Sequence, residues 1–179
     1  MKDISTRHKN QKLEMLRDPH ISDNVLRELS LDSDSQIRCE VINHPNISED
    51  VLREWAKDKT KGNEDNRRYI AYSLKTPVDV LRDLAKDSYW FTRANVARNS
   101  NTPQDTLKEL STDKEPTVRS YVAKNPKSSG SILIKVLEYE KRERDPSNFI
   151  INDLYKNPNL PLFAKRIIET LYGKMIYWI

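Results

Sequence analysis

A chain of 179 residues, 36% hydrophobic and 32% charged, is polar for a globular protein; its apolar residues nevertheless recur regularly, which excludes a disordered tail and predicts one domain or a short repeat array. Three glycines argue against a glycine-rich phosphate loop and an all-β fold of tight turns, and the single cysteine, Cys39, excludes an intrachain disulfide or a site built from several thiolates. Net charge is +4, but residues 1–90 carry 16 basic and 17 acidic side chains against 15 and 10 in residues 91–179, so the basic excess lies in the C-terminal half.

The first eight residues, Met1 to His8, are polar and hold no apolar signal core, and no apolar run approaches the roughly 18–20 residues that span a bilayer. The expectation is a soluble, cytoplasmic protein. From there an internal repeat organises the chain. A partial copy occupies Lys12, Met15-Leu16, Asp18-Pro19 and Ser22. Four full copies then share the frame Val25-Leu26-Arg27-Glu28-Leu29, Val51-Leu52-Arg53-Glu54-Trp55, Val80-Leu81-Arg82-Asp83-Leu84 and Thr106-Leu107-Lys108-Glu109-Leu110, with a weaker fifth at Ile132-Leu133-Ile134-Lys135-Val136. Leading leucines at 26, 52, 81, 107 and 133 step by 26, 29, 26 and 26 residues; the long step holds the polar insertion Lys59-Thr60-Lys61-Gly62-Asn63.

Each unit reads as two helices. Ser22, Ser48, Thr76, Thr102 and Ser128 suit helix N-caps, with Pro77 and Pro103 in the first helical position and Asp79 and Asp105 three residues after their caps. The first helix is predicted at about ten residues with leucines as its buried stripe. A shorter second helix carries the pairs Val41-Ile42, Ile70-Ala71, Val96-Ala97 and Val122-Ala123, followed by His44, Ser73, Asn99 and Asn125 as turn residues. An acidic residue precedes an arginine in every unit: Asp32 and Arg38, Asp58 and Arg67, Asp87 and Arg93, Asp113 and Arg119. A catalytic pair is needed once, not once per repeat, so these predict buried ion pairs linking neighbouring units. After residue 137 the frame loosens into a degenerate repeat through Phe149-Ile150-Ile151. A closing helix with Phe163, Ile167, Ile168, Leu171 and Met175 should cap the core, with the apolar end Met175-Ile176-Tyr177-Trp178-Ile179 as cap or as a contact with a partner.

These units resemble the leucine-rich repeat variant and HEAT-like repeat families. Val118-Arg119-Ser120-Tyr121-Val122-Ala123-Lys124-Asn125-Pro126 is similar to the variant's VRxxVAxNP core, and Thr102 to Leu110 to its TPxxxLxxL part. The resemblance covers about residues 12–137. It implies an all-α fold: an α-solenoid, wound as a right-handed superhelix, of about six two-helix repeats of about 26 residues with a C-terminal capping helix over 1–179. It also implies a surface offered to partners rather than one reaction. Some variant-repeat proteins hold an iron–sulfur cluster in a cysteine-rich N-terminal module, which a chain with only Cys39 lacks.

Exposed columns nominate the binding residues. Two and five positions after each repeat arginine, and therefore on one helical face, lie Tyr69 and Tyr72, Asn95 and Arg98, Tyr121 and Lys124, with Arg68 beside them. Tyrosine interleaved with basic and amide groups suits phosphates, bases or acidic peptides; the alternative is tyrosines packed on neighbouring helices. Tyr89-Trp90-Phe91 sits in an inter-helix turn, where with Lys59 and Lys61 it forms a candidate rim, unless the insertion buries Trp90. No nucleophile elbow, phosphate loop or HExxH is present, and His8, His20 and His44 make no helix-spaced pair. The reading is a non-enzymatic interaction module, without cofactor or metal, that binds a protein through its concave face and aromatic rim. Nucleic-acid binding through the basic C-terminal half is the alternative.

Overall fold

The computed structural model describes residues 4–59, 64–143 and 146–176, the side chains of 174–176 excepted. Lys61 and most of the polar insertion, as well as the terminal residues 177–179, lie outside the described residues, as do the side chains of Met175 and Ile176. Among the described residues there are twelve helices and no strand. They are α1 (Lys9–Met15), α2 (Asp23–Leu29), α3 (Ser35–Asn43), α4 (Glu49–Lys57), α5 (Glu64–Tyr72), α6 (Val78–Leu84), α7 (Trp90–Arg98), α8 (Gln104–Leu110), α9 (Pro116–Lys124), α10 (Gly130–Glu140), α11 (Asn148–Lys156) and α12 (Leu162–Ile176).

The fold is an α-solenoid of stacked helix pairs. Even-numbered helices from α2 to α10 carry the leucine frame, odd-numbered ones from α3 to α9 the arginine frame. Leu26, Leu29, Leu52, Leu81, Leu84, Leu107 and Leu133 are buried from one side, Ile42, Ile70, Val96, Ala97, Val122 and Ala123 from the other, in a core that continues from Ile4 to Ile168. Each such leucine contributes roughly 1.5–3 kcal/mol. The odd row is drawn tight: each helix from α3 to α11 packs on the next, most closely α5 on α7 and α7 on α9. Its contact residues are small, Ala71, Ala94, Ala97, Ala123 and Ser120, all buried. The bulkier leucines hold the even-numbered helices farther apart.

Local chemistry departs from the sequence reading in three places. The first helices α2, α6 and α8 have seven residues and the second helices nine, the reverse of the expectation. These three first helices stop directly after their second leucine, where the backbone turns towards the acidic residue. Ser22 and Ser48 are N-caps, but Thr76, Thr102 and Ser128 are not: Pro77, Pro103 and Ser129 hold that position. The three buried hydroxyls instead donate backwards, to the carbonyls of Ile70, Val96 and Val122 in the last turn of the preceding helix. They thereby satisfy acceptors that a helix end leaves open. Asp79 and Asp105 likewise serve the neighbouring unit rather than a capping box, pairing with Arg53 at 2.8 Å and Arg82 at 2.9 Å.

Two ladders tie the units together. In the ionic one, an arginine reaches the acidic backbone of its own unit and the carboxylate of the next. Arg93 donates to the Asp87 carbonyl at 2.8 Å and pairs with Asp113 at 2.7 Å. Lys12–Asp32, Arg67–Asp87 and Arg119–Glu140 repeat the arrangement at 2.6–2.7 Å, all with side chains at most 10% exposed. The ion pairs thus link neighbouring units, but not in the pairs named from the sequence: Arg38, Arg67, Arg93 and Arg119 each meet the preceding aspartate at its backbone carbonyl and take their carboxylate from the next unit, Asp65 in the case of Arg38. Each aspartate also caps the chain two residues on, as Asp87 does with the Tyr89 N–H at 2.8 Å. Burial pushes the Asp87 and Asp113 carboxyls up, but the paired guanidinium and the backbone N–H outweigh it, and both end below the ordinary aspartate value.

The second ladder uses the turn asparagines. Asn125 donates to the carbonyls of Ala97 and Asn99, and Asn99 to those of Ala71 and Ser73, at 2.7–3.1 Å. Asn157 continues it to Ala123. Each carboxamide oxygen accepts the N–H two residues on. His44 performs the same task, its Nε2 on the Asp18 carbonyl and its Nδ1 accepting from the Asn46 N–H. It is more than the turn residue expected.

The closing helix caps the stack with one face only. Ala164 and Ile168 of α12 are buried, whereas Leu162, Phe163 and Leu171 stand exposed.

Candidate interaction face

The nominated residues resolve into two clusters at opposite ends of the odd-row helices. Trp90 opens α7 and Arg98 closes it, eight residues apart and about 12 Å along the axis.

The first cluster forms where α7 begins. Tyr89, Trp90 and Phe91 pack ring against ring, with centroids 5.2–6.3 Å apart. Tyr89 is half-buried, Phe91 packs against the core and Trp90 stays 38% exposed, so the triplet divides between core and surface. Arg68 of α5 stacks 4.9 Å from both Tyr69 and Phe91, donates to the Tyr69 hydroxyl at 3.1 Å and pairs with Asp65. Its donors are therefore engaged. Lys59, the described part of the proposed rim, pairs with Asp87 at 3.2 Å.

Asn95 belongs to neither cluster. It is 7% exposed and donates to the Arg68 carbonyl at 3.0 Å, which corrects the expectation that it stands on the exposed face. The close approach of α5 to α7 buries that position, whereas the larger Tyr69 and Tyr121 protrude from it.

The second cluster lies where α5, α7 and α9 end. Arg98 sits between Tyr72 and Tyr121, its guanidinium carbon 5.0 and 5.8 Å from the two ring centroids. Tyr72 is exposed and Tyr121 half-buried. No hydrogen bond or ion pair engages the Arg98 guanidinium among the described residues. Its neighbours differ. Lys124 pairs with Asp153 at 3.2 Å, a carboxylate that also accepts from Ser120, and Lys75 donates to the His44 carbonyl at 2.6 Å.

Arg98 also divides two open grooves. The smaller, about 290 Å³, lies towards Tyr121, Lys124 and Pro126. The larger, about 500 Å³, lies towards Asn43, Tyr72, Ser73, Leu74 and Lys75. The larger groove opens where the asparagine ladder changes. Ser73 stands in the asparagine slot; too short for the preceding unit's carbonyls, it donates instead to the carboxamide of that unit's Asn43 at 3.0 Å. Lys75 supplies the missing donor to that unit's turn. Leu74 follows, in the slot filled by Pro45, Ser100, Pro126 and Pro158 elsewhere, and is 64% exposed. The column reading missed Leu74 and Lys75. Their signal was a leucine in a proline-or-serine turn slot, in the one full repeat whose turn lacks both asparagine and histidine.

A third groove of about 390 Å³ lies on the other row, between α4 and α6. Its Arg53 and Asp79 are paired across it. Among the described residues no three His, Cys, Asp or Glu side chains gather as a metal site requires, and no helix is long and apolar enough to cross a membrane.

Comparison with known families agrees with this architecture. The family model described as Leucine rich repeat variant, a HEAT-like helical repeat, matches residues 90–115, from the start of α7 through α8. No curated protein and no solved structure matches the chain significantly.

Proposed function

We propose that this helical repeat protein is a non-enzymatic interaction module that binds a protein partner through the odd row of helices. A stack with one row drawn tighter than the other curves towards the tight row, which makes the face bearing Tyr72, Arg98 and Tyr121 the concave one. The observation that carries the reading is Arg98: an exposed guanidinium held by two tyrosines, with no hydrogen bond or ion pair among the described residues, at the meeting of two grooves. Tyrosine and arginine are the residues on which binding energy concentrates at interfaces. Trp90, 38% exposed at the other end of α7, extends the contact as a rim.

Nucleic-acid binding is the less favoured reading. The basic residues of the C-terminal half spread over several surfaces, with Lys108 and Lys135 on the even row, Arg98 and Lys124 on the odd row, and Lys165 and Arg166 on α12. A polyanion is better served by a continuous track.

The test is affinity capture from a host lysate with the wild-type chain, Tyr72→Ala/Tyr121→Ala and the even-row variant Arg82→Ala, beside anisotropy with labelled single- and double-stranded DNA and RNA at about 50 and 200 mM salt. A protein retained by wild type and Arg82→Ala but lost from the double variant is the expected result. Micromolar nucleic-acid binding that collapses at the higher salt would replace the protein reading. Trp90→Ser alone probes the rim, since Tyr89 and Phe91 are partly structural.

A further inference from the structure

We infer that the larger groove binds an extended acidic–apolar peptide segment, with a partner's Asp or Glu carboxylate on Arg98 and a neighbouring apolar side chain against Leu74 and Tyr72. The inference rests on the protein-binding reading and specifies its ligand.

Three features of the groove converge on this chemistry. The first is charge. Arg68, Lys75 and Lys124 are all committed, to Asp65, the His44 carbonyl and Asp153. Arg98 alone of these four cations keeps its fork of N–H donors unspent among the described residues. A planar guanidinium whose orientation is already set by two rings loses little freedom on binding and matches a carboxylate with two parallel hydrogen bonds. Lys75, bonded to a neutral carbonyl, keeps its charge beside the groove, but one of its donors is tied to the turn; Arg98 offers the free, oriented fork among these cations, and a fork matches a carboxylate.

The second is the apolar wall. Leu74 at 64% and Tyr72 at 47% exposure line the same groove as Arg98. An exposed leucine beside an unpaired arginine selects a ligand that offers both an acidic and an apolar group.

The third is the broken ladder. Asparagine in place of Ser73 would donate across to the carbonyls of the preceding unit, as Asn99 and Asn125 do. Serine leaves that space to the groove, and Lys75 keeps the turn attached. The departure from the repeat lies beside the unpaired arginine and the exposed leucine.

A random twelve-residue peptide display library selected on the immobilised full chain tests the inference, with hits synthesised, labelled and titrated by anisotropy. Enrichment of peptides carrying Asp or Glu within two positions of Leu, Ile, Phe or Met is expected. Their affinity should fall about tenfold or more in Arg98→Ala, clearly in Arg98→Lys, and also in Leu74→Ser. Because Arg98 has no ion pair among the described residues, Arg98→Ala should melt within about 2 °C of wild type. Hits without acidic residues, or acidic hits that bind Arg98→Ala unchanged, would overturn the inference; if they still lost affinity to Tyr72→Ala/Tyr121→Ala, the interaction module would stand. Failure to enrich any peptide would count against both. A labelled twenty-nucleotide single strand bound through Arg98 more tightly than any acidic peptide would show that the groove reads phosphates instead.

Discussion

Buried polar side chains in this chain act mainly across units. Asn125 carries two carbonyls of the preceding unit and one N–H of its own turn. Asn125→Ala strands all three in a buried setting and should cost about 2–3 kcal/mol in urea denaturation; a change under 0.5 kcal/mol would mean that water replaces the carboxamide. His44→Asn restores the residue of the other turns and should leave stability unchanged or raise it, whereas His44→Ala should lower it. The ionic ladder gives stability a pH dependence of definite sign. Asp32, Asp87 and Asp113 hold folded-state pKa values below the ordinary 3.8. Their contribution is therefore complete above that value and is lost as pH falls through it towards the folded pKa. Stability should be flat from about pH 7 to 5 and fall below about pH 4, less steeply in Asp113→Asn than in wild type. An equal slope in the two proteins would assign the acid sensitivity to other carboxylates.

Helices here are too short to persist alone, seven to eleven residues outside α12, so each depends on its neighbours. The two rows solve packing differently, and substitutions should reveal it. Leu107→Ala on the even row leaves a cavity beneath a fully buried side chain and should cost about 2–5 kcal/mol. Ala97→Leu on the odd row does the opposite: it overfills the interface of α5, α7 and α9 and should cost about 1–3 kcal/mol although it adds apolar surface. A stabilised Ala97→Leu protein would show that the odd row is looser than its packing implies. Gly130 marks a similar closeness at the end of the stack, where a Cβ would come within 3.0 Å of Pro161.

Across the whole molecule, stability in a stack is built from neighbour contacts, so protection should follow packing. Amide hydrogen exchange is expected to be slowest in α5, α7 and α9 and faster in α1 and α12, each packed from one side. Uniform protection along the chain would mean that the array opens only as one unit. The same geometry explains why the candidate face is central: grooves between helix ends are flanked on both sides by units that hold them open. Leu162, Phe163 and Leu171 of α12 are exposed as well, at the C-terminal end of the stack.

The repeat, its helix pairs, the leucine core and the linking role of the Asp and Arg columns were legible in the sequence, because each recurs in a fixed frame and recurrence exposes period and partner alike. Tyr72, Arg98 and Tyr121 were legible as neighbours for the same reason: helical spacing puts them on one face. Burial was not. Asn95 shares the column of Tyr69 and Tyr121, yet the small side chains that draw α5 and α7 together enclose it. The direction of a hydroxyl was equally hidden: Thr76, Thr102 and Ser128 look like caps for the helix ahead and bond the helix behind, since only the folded turn brings those carbonyls within reach. Tertiary structure alone also decided which cations are spent. Arg98, Lys75 and Lys124 are alike as letters, and what separates them is the distance to a carboxylate or carbonyl that another unit supplies, whereas Arg68 is held by Asp65 of its own helix.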